Sequence, residues 1–93
     1  MADRKAAIWK FPLQPDVSRV DMPAGAKPLH VGCQGEVFML WAQVDPDAPA
    51  EPRWFNVVGT GHPFDPDAVK AYVGTVHYPY GGLIFHVLEV TGG

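Results

Sequence analysis

Cysteine, serine and charged residues are scarce in this chain of 93 residues, and long apolar runs are missing. A single cysteine cannot form a disulfide within the chain, which is typical of a protein that folds in a reducing compartment. Charged residues make up 18% of the chain, and its net charge is −3. No basic run is present, so the electrostatic footprint of a protein that binds duplex nucleic acid is missing.

The apolar stretches are too short for a membrane span. The longest, Val37 to Ala42, is far below the ~20 residues that cross a bilayer as a helix. The N-terminal residues Met-Ala-Asp-Arg-Lys lead into a predicted strand rather than into the apolar core of a signal peptide. These features predict a cytoplasmic protein that has no membrane partner.

Glycine and proline are abundant, with 10 of each. Together they interrupt the chain about once in every five residues, which excludes long helices and favours short strands joined by turns. Hydrophobic residues reach 47%, too many for a disordered chain. Alternating apolar and polar residues indicate strands at about 8–13, 17–22, 29–33, 36–42, 53–58, 71–78 and 83–90.

The predicted fold is therefore all-β, a small antiparallel β-sandwich or barrel of about seven short strands. We expect a single β domain over residues 8–90, with a flexible N-terminus (1–7) and a flexible C-terminus (91–93). Between the fifth and sixth strands, Asp65 and Pro66 predict one helical turn, because Asp caps helix N-termini and Pro suits the first helical position.

The third and fourth strands form a predicted hairpin. A two-residue loop at Gln34–Gly35 pairs Leu29 with Leu40 and places Leu29 on the core face. Cys33 lies on the same face, where it is expected to act as a small apolar residue. The fourth strand is apolar on both faces, so we expect its second face to be covered.

The last two strands form a second predicted hairpin, whose tip is Tyr80–Gly81. This tip pairs Val76 with Phe85 and puts Tyr72 on the apolar face of the hairpin. The opposite face is predicted to carry Thr75, His77, Ile84 and His86. His77 and His86 are then diagonal neighbours about 7–8 Å apart. They either bracket an anion or are two half-exposed histidines.

The string Gly59-Thr60-Gly61-His62-Pro63 is the most distinctive local motif. Glycines leave backbone N–H groups free to approach a phosphate, as in an anion-binding nest, and His62 can add a donor. Pro63 excludes the direct strand-to-helix passage of a nucleotide-binding loop. A bulged strand end explains the same glycines, so both interpretations stay open.

Aromatic and cationic residues complete the predicted ligand site. Trp54 and Tyr80 can stack on a base, although a tryptophan is also a common core residue. Arg53, Lys10 and Lys27 are candidate phosphate partners. The predicted ligand-binding residues are Arg53, Trp54, Gly59, Thr60, Gly61, His62, His77, Tyr80 and His86.

Support for catalysis is weak in this sequence. Ser18 is the only serine and lacks the glycines of a nucleophile elbow. The histidine spacings do not match a zinc site. We therefore predict a non-enzymatic protein with no cofactor and no metal.

Five strings resemble a family of small, uncharacterised proteins encoded by tailed phages and prophages. They are residues 8–13 (IWKFPL), 22–27 (MPxGAK), 40–46 (LWAxVDP), 59–63 (GTGHP) and 72–76 (YVGTV). The resemblance implies a phage accessory protein acting in the cytoplasm of the host cell. Such proteins often neutralise a host defence by covering a host protein or by sequestering its nucleotide signal.

The sequence and this resemblance together predict a phage binding protein, expected as a homo-oligomer, that antagonises host defence by sequestering a small nucleotide immune signal. One alternative is an inhibitor that binds and blocks a host defence protein directly. Further alternatives are a small nucleotide hydrolase that uses His62 with Asp65, and a minor virion or structural component.

Overall fold

The computed structural model describes residues 4–92 and confirms the all-β prediction. Its strands are β1 (Ala7–Leu13), β2 (Asp16–Pro23), β3 (Lys27–Gln34), β4 (Val37–Val44), β5 (Ala50–Gly59), β6 (Val69–His77) and β7 (Ile84–Val90). A single 3-10 turn, η1 (Pro66–Ala68), precedes β6. Asp65 caps this turn by accepting a hydrogen bond from the Asp67 amide, as predicted. The termini 1–3 and 93, part of the ends expected to be flexible, lie outside the described residues.

Two antiparallel sheets form a small sandwich. One sheet has the order β1-β4-β3, and the other has the order β2-β5-β7-β6. The edge strands β3 and β6 contact each other, and β1 contacts β2, so the two sheets adjoin along both sides. No helix within residues 4–92 is long and apolar enough to span a membrane.

The core lies between the two sheets and follows from the alternation along each strand. Every second residue of β4 and β5 points inward, and the largest fully buried side chains are Phe55, Met22, Leu40, Val44, Val76 and Val87. Cys33 packs against this core, as expected, and burial raises the pKa of its thiol. Ser18 is also buried, and its hydroxyl accepts a 2.6 Å hydrogen bond from the Gln14 amide at the turn between β1 and β2.

The β3–β4 hairpin differs in register from the prediction. Gly35, with φ 59°, belongs to a Gly35–Glu36 turn, and Val31 rather than Leu29 pairs with Leu40. This shift of two residues preserves the faces of both strands, because side chains alternate with a period of two. A β-bulge at Leu29 interrupts the pattern and leaves that side chain 52% exposed, so its placement on the core face was wrong.

The outer face of the β1-β4-β3 sheet is open within the chain. Val37 is 47% exposed and Ile8 is 65% exposed on this face. The described residues therefore do not supply the cover that was expected over the second face of β4.

The β6–β7 hairpin has the predicted register, with Val76 paired to Phe85. A second bulge, at Val73, lies between the pairs made by Tyr72 and Gly74. The extra residue turns Tyr72 to the outer face, where it is 56% exposed, so its placement on the apolar face was wrong. Tyr72 thereby joins Thr75 and His86.

The strand β5 is longer than predicted. It begins at Ala50 and ends at Gly59, whereas the sequence indicated 53–58. The extension pairs Pro52 with Asp21 and Ala50 with Pro23 of the edge strand β2. The proline-rich loop is consequently shorter than expected, and Gly59 places the Gly59–Pro63 string directly at the end of a sheet strand.

Candidate functional site

A depression of about 280 Å³ opens on the outer face of the β2-β5-β7-β6 sheet. Its lining includes Gly59, Thr60, Gly61, His62, Phe64 and His86. Five of the nine predicted ligand-binding residues therefore meet at one place, although His86 is 24 or more residues distant from the others in sequence. They meet because Gly59 of β5 pairs with Phe85 of the adjacent strand β7.

The loop from Gly59 to His62 is a tight turn. The His62 amide donates a 3.0 Å hydrogen bond to the Gly59 carbonyl, and Gly61 has φ 87°, a value that favours glycine. The Thr60 amide donates to the Ile84 carbonyl at 3.1 Å. Within residues 4–92 the amides of Thr60 and His62 are thus already used, whereas the Gly61 amide has no acceptor.

Gly59 is required by the His62 side chain. A Cβ atom at Gly59 would lie 2.9 Å from His62 Nδ1 and 3.0 Å from Cε1. The imidazole therefore rests against the backbone at the end of β5, where any side chain would displace it. This contact keeps His62 at the rim of the depression.

His86 is the centre of a polar network at the end of the depression. Its Nε2 lies 2.7 Å from Thr60 Oγ1, and its Nδ1 lies 2.8 Å from the Tyr72 hydroxyl. Tyr72 in turn is hydrogen bonded to Thr75 Oγ1.

A consistent set of donor and acceptor roles can be assigned to this network, with His86 in the tautomer that carries its proton on Nε2. The Thr60 hydroxyl donates to the Ile84 carbonyl at 3.2 Å and accepts from His86 Nε2–H. His86 Nδ1 then accepts from the Tyr72 hydroxyl, which accepts from Thr75. The imidazole is thus held by hydroxyl groups on two sides, and no carboxylate within residues 4–92 is hydrogen bonded to it.

Sequence reasoning missed Tyr72 and Thr75 as members of this site. The place of Tyr72 depends on the bulge at Val73, since without the extra residue Tyr72 would face the core. Thr75 was predicted on the same face as His86 but was not assigned to the site. Gly74, a glycine inside a strand, was the available signal, because such glycines often accompany a bulge or a close backbone approach.

A change of Tyr72 to phenylalanine tests the network. The Tyr72 hydroxyl holds His86 Nδ1, so we expect Tyr72→Phe to lower the free energy of unfolding by about 1 kcal/mol and to loosen the His86 ring. Urea denaturation measures the first effect, and imidazole ¹⁵N shifts of His86 measure the second. Tyr80→Phe is the matched control, because the Tyr80 hydroxyl has no hydrogen bond in the described chain. Unchanged His86 shifts in Tyr72→Phe would contradict the assignment.

A second depression, of about 380 Å³, adjoins the first on the same face. Phe64 and Leu88 line both depressions, and we call the continuous surface the outer groove. Its second half also includes Trp54, Asn56 and Val17. Phe64 is 47% exposed and Val17 is 51% exposed, so this half presents apolar surface to solvent.

The Trp54 ring lies in the second half of the outer groove, where packing against the backbone holds it in place. A Cβ atom at Gly92 would overlap the Trp54 ring, so the indole packs directly on the Gly92 backbone. The neighbouring Asn56 Oδ1 is buried and has no hydrogen-bond partner among residues 4–92. An unpaired buried acceptor destabilises a protein by about 1–3 kcal/mol, and a polar ligand group is one way to satisfy it.

The remaining predicted residues lie outside the outer groove. Arg53 faces the interior, where it forms two 2.8 Å hydrogen bonds with the Glu89 carboxylate and a third with the Ala26 carbonyl. His77 is exposed at the end of β6. Tyr80 is 60% exposed at the hairpin tip, where its ring packs edge-on against Tyr78 with centroids 6.2 Å apart.

The Arg53–Glu89 pair explains why Arg53 is not available to a ligand. The side chains of the pair are only 16% and 9% exposed. The hydrogen bonds from Arg53 lower the pKa of the Glu89 carboxyl, against the opposing effect of burial. Lys10 and Lys27 lie elsewhere: Lys10 bonds to Gln34 at 2.8 Å, and Lys27 begins β3.

No group of three or more metal-ligating side chains occurs within the described range 4–92.

The fold and the groove define the class of protein as a small β-sandwich with an open groove on the outer face of one sheet. The chain belongs to a family described as a domain of unknown function, DUF7352, which matches residues 4–93. Comparison with curated proteins and with solved structures gave no match.

Proposed function

We propose that this protein is a non-enzymatic binding protein of phage origin that holds a small nucleotide in the outer groove. By sequestering a nucleotide immune signal in the host cytoplasm, it antagonises host defence. The observation that carries this proposal is the joining of two unlike surfaces in one groove. The Gly59–His62 turn and the His86 network are polar, whereas Trp54 and Phe64 offer aromatic faces.

The apolar half of the outer groove suits a nucleobase. Bases stack on aromatic side chains with a gain of about 1–3 kcal/mol each. Trp54 is held in place by the Gly92 backbone, and Phe64 is partly exposed beside it. A rigid platform of this kind binds a planar ring with little loss of side-chain entropy.

The polar half suits a ribose or phosphate. The Gly61 amide is free to donate, and the His62 imidazole lies at the rim. Thr60 and Tyr72 add hydroxyl groups beside His86. The hydroxyl groups and the backbone amide are neutral hydrogen-bonding partners, which orient a ligand rather than attract it over long range.

Binding without turnover is favoured by the way the His86 network is satisfied. A nucleophilic hydroxyl needs a base that takes its proton, and that base is usually oriented by a third group such as a carboxylate. In the assigned network, Thr60 donates to a backbone carbonyl and His86 is held between neutral hydroxyl groups. This arrangement favours a protein that binds the ligand unchanged over a protein that hydrolyses it.

The phage origin and the anti-defence role come from the family resemblance in the sequence. A β domain that binds a ligand without turnover is compatible with the accessory proteins by which phages neutralise host defences. The open face around Ile8 and Val37 gives the expected homo-oligomer a surface through which copies could associate.

The test is the identity of small molecules released when the purified protein is denatured. We expect mass spectrometry to detect an intact nucleotide, and calorimetry to show binding in a screen of cyclic di- and trinucleotides and ADP-ribose derivatives. Recovery of hydrolysed product would favour the hydrolase. A protein retained from host lysate, without any small molecule, would favour the direct inhibitor. No heat with any nucleotide would remove the proposal.

Groove variants test the location of the ligand. We expect Phe64→Ala to weaken binding of the nucleotide found in the screen by roughly 10- to 100-fold, because it removes one stacking face. Ile8→Ala is the control, since Ile8 is an exposed apolar residue of the other sheet. Calorimetry measures both affinities. Equal affinities in the two variants would place the ligand elsewhere.

A further inference from the structure

A second cleft, of about 460 Å³, lies at the opposite end of the sandwich from the Gly59–His62 turn. It is bounded by residues 4–6, which precede β1, by the Ala24–Gly25 turn, and by the end of β4. The ends of β5 show the separation: Ala50 lies beside Ala24, and Gly59 begins the turn of the outer groove. At about 3.3 Å per residue these ends are roughly 30 Å apart.

The lining of this cleft is strongly basic for a chain whose net charge is −3. Three of the seven lysine and arginine residues line it: Arg4, Lys5 and Lys27. We call it the basic cleft. The one carboxylate in the lining, Asp45, already accepts a 3.0 Å hydrogen bond from the Asp47 amide.

The cations of the basic cleft have no ion-pair partner within residues 4–92. By contrast, Arg19 pairs with Asp21 at 3.3 Å, and Arg53 pairs with Glu89 at 2.8 Å. Three cations and one carboxylate line this concave surface, and the excess of positive charge raises the local concentration of anions. A bound anion therefore stabilises this arrangement.

The backbone adds a further donor to the basic cleft. The Ala26 amide donates to the Pro23 carbonyl at 3.1 Å, which closes a turn with Gly25 at φ 80°. The Gly25 amide has no acceptor in the described chain, and a Cβ at Gly25 would meet no atom within 4 Å. The backbone here is thus open to a ligand on the side of the cleft.

We propose that the basic cleft binds a short phosphate chain of two or three phosphates, a site that goes beyond the nucleotide-binding function of the outer groove. Arg4 can bind two phosphate oxygens through its planar guanidinium, and Lys5 and Lys27 supply point charges. With Asp45 counted, the lining keeps an excess of two positive charges, which favours a multiply charged anion beside the three cations. They are too few, and too confined to one cleft, for the track of phosphates along a duplex.

Tripolyphosphate and inorganic phosphate are the probes for calorimetry on the full chain. We expect tripolyphosphate to bind at least tenfold more tightly than inorganic phosphate, because charge-assisted hydrogen bonds add with each phosphate. Lys27→Gln should weaken tripolyphosphate binding about tenfold. Arg19→Gln is the control, since it removes the same charge from an exposed site elsewhere and should leave the affinity within about twofold.

Three results would overturn the basic cleft as a phosphate site. They are no heat of binding with tripolyphosphate, equal losses of tripolyphosphate affinity in Lys27→Gln and Arg19→Gln, and equal competition by sulfate at matched ionic strength.

A titration with ATP distinguishes whether the cleft takes free phosphate chains or the phosphates of a nucleotide. ATP binding as tight as tripolyphosphate binding, and sensitive to Lys27→Gln, assigns the cleft to nucleotide tails as well as free chains. ATP binding that only Phe64→Ala weakens reports on the outer groove, so the two proposals can fail separately.

Discussion

Replacing Arg53 with methionine is expected to lower the free energy of unfolding by about 3–5 kcal/mol at neutral pH. The variant keeps the Glu89 carboxylate in the interior, where its side chain is 9% exposed, but removes both of its 2.8 Å hydrogen bonds. The Ala26 carbonyl also loses its donor from Arg53. An unpaired buried charge is among the most destabilising changes a small domain can undergo.

The destabilisation caused by Arg53→Met is expected to change with pH in a definite direction. Arg53 lowers the folded-state pKa of Glu89 below its ordinary value of 4.5. The resulting stabilisation is fully present above about pH 4.5 and is lost as the pH falls through the lowered folded-state pKa. In Arg53→Met, burial without a partner raises the pKa of Glu89, so acidification relieves the buried charge. The difference in stability between the two proteins should therefore shrink as the pH falls below about 5.

Urea denaturation at pH 7 and at pH 4 measures both effects of Arg53→Met. Replacing the whole pair, in Arg53→Met/Glu89→Leu, should recover most of the lost stability, because no charge is left unpaired. Arg19→Met is the exposed control, and its pair with Asp21, with side chains 62% and 61% exposed, should contribute no more than about 1 kcal/mol. If Arg53→Met lowered the free energy of unfolding by less than about 1 kcal/mol, the pair would contribute no more than an exposed ion pair does.

Replacing Gly74 with alanine is expected to destabilise the protein by about 1–3 kcal/mol through overpacking. A Cβ at Gly74 would lie 2.7 Å from Val31 Cγ2. Val31 is 3% exposed and belongs to β3, the edge strand of the other sheet. Because Val31 is held in the core, the contact can be relieved only by moving β6 away from β3.

A double variant tests the cause of the Gly74 effect. Gly74→Ala/Val31→Ala should lose less stability than the sum of its two single changes, because the smaller side chain removes the clash. Gly32→Ala is the matched control, since its Cβ would make an ordinary contact of 3.4 Å with His30. Additive losses in the double variant would show that Val31 is not the residue that Gly74 accommodates. Denaturant midpoints supply the measurement.

The strands, the turn of helix and the β6–β7 turn were predictable because their signals are local, whereas the β3–β4 turn lies one residue further along than predicted. Alternation of side chains located the seven strands within a few residues, and Asp65 and Pro66 located the single turn of helix. The register of the β6–β7 hairpin followed from its glycine-rich tip, where Gly81 and Gly82 have φ values of 73° and 65°. Such signals depend on a few neighbouring residues and so survive without knowledge of the fold.

The misplaced residues are those at the bulges. Leu29 and Tyr72 each lie at or beside an extra residue in an edge strand, and the extra residue reverses the face on which the neighbouring side chains lie. A strict alternation cannot contain this information, because a bulge depends on packing against the other sheet. The close approach of Gly74 to Val31 is one such contact.

Only the part of the candidate site that lies around the Gly59–His62 motif could be predicted from the sequence. The Gly59–His62 turn and His86 do meet, and Trp54 lies on the same face. Arg53 was indistinguishable from a phosphate partner because Glu89, which binds it, is 36 residues away in sequence. The sequence did not predict Arg4 and Lys5 as ligand-binding residues for a similar reason. They lie near Lys27 only in the folded chain.

Around the bulge at Val73, the two sides of β6 differ in their surroundings. On one side, Gly74 and Val76 fit the interior. On the other, Tyr72 and Thr75 form the wall of the groove. If the groove holds the proposed nucleotide, mutations of these outward residues are expected to alter ligand preference without altering the packing inside. An edge strand built in this way lets the outward residues of the groove wall vary while the residues that pack inside stay the same.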